Sequence, residues 1–342
     1  MANLSDVAAL AGVSVSAVSR VLADAPDARV SDATRLRIRE AAQSLDYQPN
    51  FAGRALRSSR SHILALIVPD VTNAIFAELM EGVEEAALSR DYTVVLGRAE
   101  DMQPGGPALR RLVGERRVDG MLVQLRDEPT SEEIASLADT ATPTVFINSL
   151  GPSGIGSVVL PDTAGAAMAT AHLIELGHRR IGLIGGKRTS YTAQRRAEGF
   201  LTACADAGIA VDPGHVAHVG YSAENGREGL RRVIALPTPP TAVFVANVNA
   251  ALGALLEARR LGVNVPDELS IIAMHDVWMA EYSWPPLSTV RMPLRQLGSD
   301  AVSELLRRFA DSAAAPADVL VTEPPPQLIL RESTIAFQTG PR

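Results

Sequence analysis

The sequence predicts an N-terminal all-α head of helix-turn-helix type with a hinge helix, followed by an α/β body of two lobes with parallel sheets. Three observations lead there. Residues 1–48 hold three short amphipathic helical patterns separated by turn residues. Pro49 then breaks the pattern ahead of an arginine-rich stretch over 49–60. From residue 61 to about 330, apolar β-favouring runs alternate with helical periodicity, in units of roughly thirty residues, as in a parallel sheet covered by helices.

Leu4, Val7 and Ala8 form one helical face, with Ser5 near its start. Gly12 suits the left-handed conformation that ends a helix. Val13 turns inward and Ser14 caps a second helix, on which Val18, Val21 and Leu22 repeat at helical spacing. Ser31 opens a third, with Leu36, Ile38, Ala42 and Leu45 as core candidates. The first pair has helix-turn-helix spacing.

The exposed side of the second helix decides its chemistry. Val15, Ser16, Ala17, Ser19 and Arg20 are its early and outward positions, and Ser5 joins them as a candidate DNA contact. Hydroxyls bond base edges or phosphates, valine meets a thymine methyl, and arginine forks onto guanine or pairs with phosphate. The other reading is a three-helix protein-interaction module whose serines are caps. Further on, Pro49 biases Gln48 away from helix, and Asn50 caps a short segment from Phe51 to about Arg57. Arg54, Arg57 and Arg60 suit phosphates. Leu56, apolar and without a local core, has the form of a minor-groove wedge. A flexible basic linker is the alternative, and folding on DNA reconciles the two.

Charge is distributed accordingly. The whole chain carries a net −7, yet residues 1–60 hold eight arginines against six acids. A basic head on an acidic body fits a head facing phosphate. Apolar residues make up 46% of the 342-residue chain, a globular composition. Its one cysteine, Cys204, cannot form an internal disulfide and reads as a small buried helix residue. No N-terminal basic-then-apolar signal is present, and no apolar run approaches the roughly 18 residues of a membrane span. The expectation is a cytoplasmic, nucleoid-associated protein.

In the body, HILALIVPD is a strand closed by Pro69, followed by a helix in FAELMEGVEEAALSRDY and strands in YTVVLG, MLVQL and TPTVFINS. A second series runs through the strands IGLIGG, TAVFVAN and ELSIIAMH. The lobes are expected to divide near Val159–Asp162, with further crossings around Trp284–Met292 and near Val321. That assigns about 61–160 and 291–322 to lobe 1, and about 161–290 and 323–342 to lobe 2. Several crossovers make a hinge with a ligand cleft between the lobes. GLIGGKRTS has neither P-loop nor GxGxxG spacing and reads as a turn at the cleft mouth. The six histidines form no HExxH and no carboxylate cluster, so neither metal, cofactor nor enzyme is expected.

Taken together, the chain resembles the LacI/GalR family of bacterial transcription regulators over essentially its whole length. VAALAGVSVSAVSRVL resembles the family's DNA-binding signature, and VSDATRLRIREAAQSLDYQPNFAGRALRS its third helix and hinge helix. The resemblance implies a body like a periplasmic sugar-binding protein, and homodimers, in some members tetramers, on palindromic double-stranded operator DNA. It implies major-groove reading by Val15, Ser16 and Arg20, and insertion of Leu56 at the operator centre, with Asn50 and Arg54 in the same hinge motif. It implies effector contacts at Asn73 and Phe76, at Arg196 of RAEGF, at the aromatic Tyr221, and at Asn247, His275 and Asp276. His275 departs from the family's aspartate pair, and Asn148 stands where several sugar binders place a charged residue. For Asn148 and His275 ordinary loop chemistry is the competing reading. Asp162 reads as a helix N-cap. The implied effector is a small molecule, a sugar or related metabolite. The alternatives are a small-molecule binding module without operator binding and, third, an enzyme.

Overall fold

The computed structural model describes residues 2–22, 29–47, 60–102, 104, 106–115, 117–138, 142–152, 154–311 and 315–338. The hinge candidates Asn50, Arg54, Leu56 and Arg57 lie outside them. The chain forms two compact units, residues 1–61 and 62–342.

Among its described residues the first unit holds three helices: α1 (Leu4–Ala11), α2 (Val15–Leu22) and α3 (Asp32–Ser44). Asn3, not Ser5, caps α1. Its amide oxygen accepts from the N–H groups of Ser5 and Asp6, and the Asp6 carboxylate accepts from the Asn3 N–H at 2.8 Å. Gly12 ends α1 at φ 65°, in the left-handed region. The Ser14 hydroxyl accepts from Ala17 N–H at 3.2 Å, and the Ser31 hydroxyl accepts from Thr34 N–H at 3.3 Å. Val7, Val18, Val21, Ile38 and Ala42 form the small core, with Val13, Leu22 and Leu45 against it. Leu36 is not part of it, being 59% exposed. It stands two residues before Ile38, about 200° around the helix from the buried stripe.

The second unit contains two six-stranded sheets. The first holds β1 (Ile63–Val68), β2 (Thr93–Arg98), β3 (Gly120–Val123), β4 (Thr144–Ile147), β5 (Ser157–Val159) and β11 (Asp318–Leu320). Their order is β11-β5-β4-β3-β1-β2, all parallel. The second holds β6 (Ile181–Gly185), β7 (Val216–His218), β8 (Ala242–Val245), β9 (Ser270–Met274), β10 (Ser288–Arg291) and β12 (Gln327–Ile329). Its order is β12-β10-β9-β8-β6-β7, parallel except that β12 runs against β10. The chain passes between the sheets after β5, after β10 and after β11.

Central strands covered on both faces must be apolar throughout rather than alternating. β1 meets that requirement: Leu64, Ala65, Leu66, Ile67 and Val68 are all buried. The covering helices include α4 (Ile75–Leu88), α5 (Ser131–Ala138), α6 (Asp162–Glu175), α7 (Tyr191–Asp206), α8 (Ala223–Ile234), α9 (Val248–Leu261), α10 (Trp278–Glu281) and α11 (Leu294–Ala310). Helices α8 and α9 approach so closely that a Cβ on Gly253 would meet the Ala223 backbone. Cys204 is fully buried on α7, and burial pushes its thiol up to about 11. Among the described residues no single helix is long and apolar enough to cross a membrane.

Candidate functional site

In open parallel sheets, ligands bind beyond the carboxyl ends of the strands. Both sheets send such ends to one cavity of about 390 Å³. From the first sheet come Asp70 and Asn73 after β1, Gln124 to Asp127 after β3, and Asn148 after β4. From the second come Ser190 after β6, Tyr221 after β7 and Asn247 after β8, joined by Thr192 and Arg196 of α7. Six sequence candidates therefore share one cavity: Asn73, Phe76, Asn148, Arg196, Tyr221 and Asn247.

Arg196 is the buried centre, 2% exposed. Its Nε donates to Asp162 Oδ1 at 2.9 Å, Nη1 to the Ala246 carbonyl at 2.6 Å, and Nη2 to His275 Nε2 at 3.0 Å. Burial alone lowers the pKa of a guanidinium; the Asp162 carboxylate reverses this and holds Arg196 above its ordinary value. Asp162 is thus the buried counterion of Arg196 and not a helix cap. It occupies the first helical position of α6, after Pro161, where its side chain turns into the core rather than back onto the helix N–H groups.

Burial, then the positive charge of Arg196, drive the His275 pKa well below 6.5, so the ring is neutral. Accepting at Nε2 puts its proton on Nδ1, a buried atom without a hydrogen-bond partner among the described residues. The Tyr221 ring lies 5.2 Å from the Arg196 guanidinium, within cation–π range. The Tyr221 hydroxyl is 3.2 Å from Thr192 Oγ1, which is 3.1 Å from Ser190 Oγ. Burial raises the Tyr221 pKa to about 12, so the phenol keeps its proton.

Asn247 caps α9 through its side-chain oxygen, which accepts from Asn249 N–H at 2.8 Å. Its Nδ2 is buried without a partner among the described residues, and Asn247 lines the cavity. A ligand acceptor would satisfy that donor. Asn148, at φ 46°, accepts from Leu160 N–H at 3.0 Å and so fixes the first crossing between the sheets.

The two remaining candidates, His275 and Asp276, do not line the cavity. His275 lies behind Arg196, and its N–H donates to the Val290 carbonyl at 2.9 Å. Asp276 accepts from Thr289 at 2.7 Å, Arg291 at 2.6 Å and Arg331 at 2.7 Å. Burial opposes its charge, but Arg331, Thr289 and Arg291 outweigh that and hold its pKa below 3.8. Asp276 joins β9, β10 and the segment after β12; it is a structural carboxylate. Sequence reasoning missed Asp127, Ser190 and Thr192. The usable signal was their position just past β3 and β6, and not any motif.

In the head, Ser5, Val15, Ser16 and Arg20 are exposed, while Ala17 and Ser19 are half-buried. Val18 and Val21 face the core. The segment 13–22 contains no acidic residue, so the outward side of α2 presents hydroxyls and one cation. Arg20 Nε donates to the Ser16 carbonyl at 3.3 Å. Among the described residues no group of three His, Cys, Asp or Glu side chains could hold a metal ion.

The profile of bacterial regulatory proteins of the lacI family matches residues 3–50, and that of the periplasmic binding protein-like domain matches residues 170–334. The chain is 33% identical over 340 residues to the HTH-type transcriptional repressor CytR of Escherichia coli strain K12, covering 98% of this chain and 97% of that protein. A crystal structure of a LacI family transcriptional regulator from Mycobacterium smegmatis is 42% identical, with a TM-score of 0.75 over 80% of this chain and 99% of that one. The lac repressor dimer bound to operator and the anti-inducer ONPF is 26% identical, with a TM-score of 0.80 over 98% of this chain and 99% of that one. A helix-turn-helix head, paired parallel sheets and similarity along nearly the full length thus agree, and the chain belongs to the lacI family of bacterial regulatory proteins: it is a DNA-binding regulator, not an enzyme.

Proposed function

We propose that the chain is a repressor that acts in the cytoplasm as a homodimer on a palindromic operator. A small molecule bound in the cleft, a sugar or related metabolite, controls it. Residues 1–48 act as the DNA-binding head, 49–60 as the hinge and the remainder as the effector-binding core. Within the core, lobe 1 is built on the first sheet and lobe 2 on the second. Each head lays α2 in a major groove, with Val15, Ser16, Ala17, Ser19 and Arg20 toward the bases and Ser5 toward phosphate. Two-fold symmetry then requires half-sites in inverted repeat. Asn50, Arg54, Leu56 and Arg57 form the minor-groove part, Leu56 as the wedge.

One observation carries the operator reading. Val18 and Val21 fill the head's core while Val15, Ser16 and Arg20 stay uncovered on an acid-free face. The relative solved with operator and anti-inducer supports the pairing of DNA with a small molecule. The name of the Escherichia coli relative supports repression. Leu88, Leu96, Trp278, Tyr282 and Trp284 are exposed apolar side chains of the core, surface that a second copy would cover.

Footprinting and gel shifts on the DNA upstream of the gene test the reading. An inverted repeat is protected, and Arg20→Ala weakens specific binding by about 5- to 150-fold, the range for one lost base contact. A protein that binds cleft ligands but never shifts this DNA is instead a binding module.

A further inference from the structure

We infer that Asp127 sets the charge class of the effector: the cleft accepts an uncharged or cationic ligand that offers hydrogen-bond donors to this carboxylate, and it rejects anions. This rests on the reading of the cleft as the effector site and deepens it.

The charges of the cavity carry the inference. Arg196 has Nε, Nη1 and Nη2 each engaged, and its charge is matched by Asp162. Arg126, exposed at the rim, is paired with Glu133 at 2.9 Å. No cation of the lining is left uncompensated among the described residues. The carboxylates are different. Asp127 makes no ion pair among the described residues; Arg196 and Lys187 act on its carboxylate at longer range, against the like charge of Glu128. The carboxylate of Asp70, also on the lining, is bonded by Thr72, whose N–H and hydroxyl it accepts at 2.9 and 2.7 Å, and makes no ion pair among the described residues. An anionic group would enter a site whose unmatched lining charges, among the described residues, are negative.

Asp127 is also placed to report binding. Its loop follows β3 of the first sheet, yet its backbone carbonyl accepts from Thr189 Oγ1 at 3.1 Å, across the cleft mouth from the second sheet. Asp127 is half-buried, and that burial pushes its carboxyl above its ordinary value. Opposite it, the unpartnered Asn247 Nδ2 asks for an acceptor. A hydroxyl-bearing ligand supplies both, donating to Asp127 and accepting from Asn247. An amino group on the side facing Asp127 strengthens the first contact.

Calorimetric titration of the full chain with matched probes tests this: glucose, glucosamine and glucose phosphate, and adenosine with adenosine monophosphate. Wild type, Asp127→Asn, Asp127→Glu and Asn247→Ala are compared, with thermal melts to show that each is folded. The tightest probe is uncharged or cationic, and its phosphorylated counterpart binds at least about tenfold more weakly. Asp127→Asn weakens the tightest probe by about tenfold and narrows the gap to the anion, while Asp127→Glu restores part of it. A phosphorylated probe that binds wild type as tightly as its uncharged counterpart overturns the inference. So does a probe lost on Asn247→Ala but unchanged by Asp127→Asn. If no probe binds, or the bound one is indifferent to Asn247→Ala, the cleft reading itself fails, and this inference with it.

Discussion

Arg196 and Asp162 are 3% and 0% exposed at their side chains, and a buried ion pair is costly to break from one side only. Asp162→Ala leaves a guanidinium in the core with no counterion, and urea denaturation should show a loss of about 3–5 kcal/mol. The Asp162→Asn variant keeps the shape and a hydrogen-bond acceptor and should lose less. The pairing was not legible in VLPDTAG, because an aspartate at the start of a helix is ordinarily a cap and its partner lies 34 residues further on. Resemblance to the family pointed to Arg196, Tyr221 and Asn247, and all three line the cavity. Asp127 was not legible, since nothing in QLRDEP marks it before the parallel order of β3 is known. His275 misled for the same reason: next to Asp276 it looks like a ligand contact, but it supports Arg196 from behind.

Helices α8 and α9 illustrate stability at the level of elements. Glu257 of α9 accepts from Arg227 Nε at 2.8 Å and Arg231 Nε at 2.6 Å, both on α8. These bonds, Arg231 first, hold the Glu257 carboxyl at about 2, below its ordinary 4.5. A depressed carboxyl pKa stabilises the folded state above the unfolded value and loses that contribution as pH falls through the folded one. Stability should therefore decline between pH 4.5 and about 2, and Glu257→Gln should flatten that part of the profile in urea melts at stepped pH. Gly12 governs the turn between α1 and α2 at φ 65°. Gly12→Ala should destabilise the head by about 1 kcal/mol, read as earlier loss of head helicity on heating, with the core transition unmoved. Elements of this kind were largely legible, because apolar runs and helical stripes follow from burial on two faces or one. Leu36 was misplaced where composition suggested core but angle around the helix did not.

For the whole molecule, one chain carries a helix-turn-helix unit and a second unit whose two sheets share a cleft, and the family makes such a chain a DNA-binding regulator. The general shape of the cleft was legible from alternating strands and helices, since parallel sheets gather their functional loops at one end. Its charge balance was not, because it depends on which side chains neutralise one another across sheets. Linkage makes a further demand: if a cleft ligand changes operator affinity by some factor, operator must change ligand affinity by the same factor. The most direct test is fluorescence anisotropy of a labelled operator fragment, titrated with full-length protein at fixed salt, without and with saturating ligand. Operator affinity should change by about 5- to 150-fold, with ligand affinity moving equally when operator is present. Identical operator affinity in both titrations, while calorimetry shows the cleft filled, would contradict it.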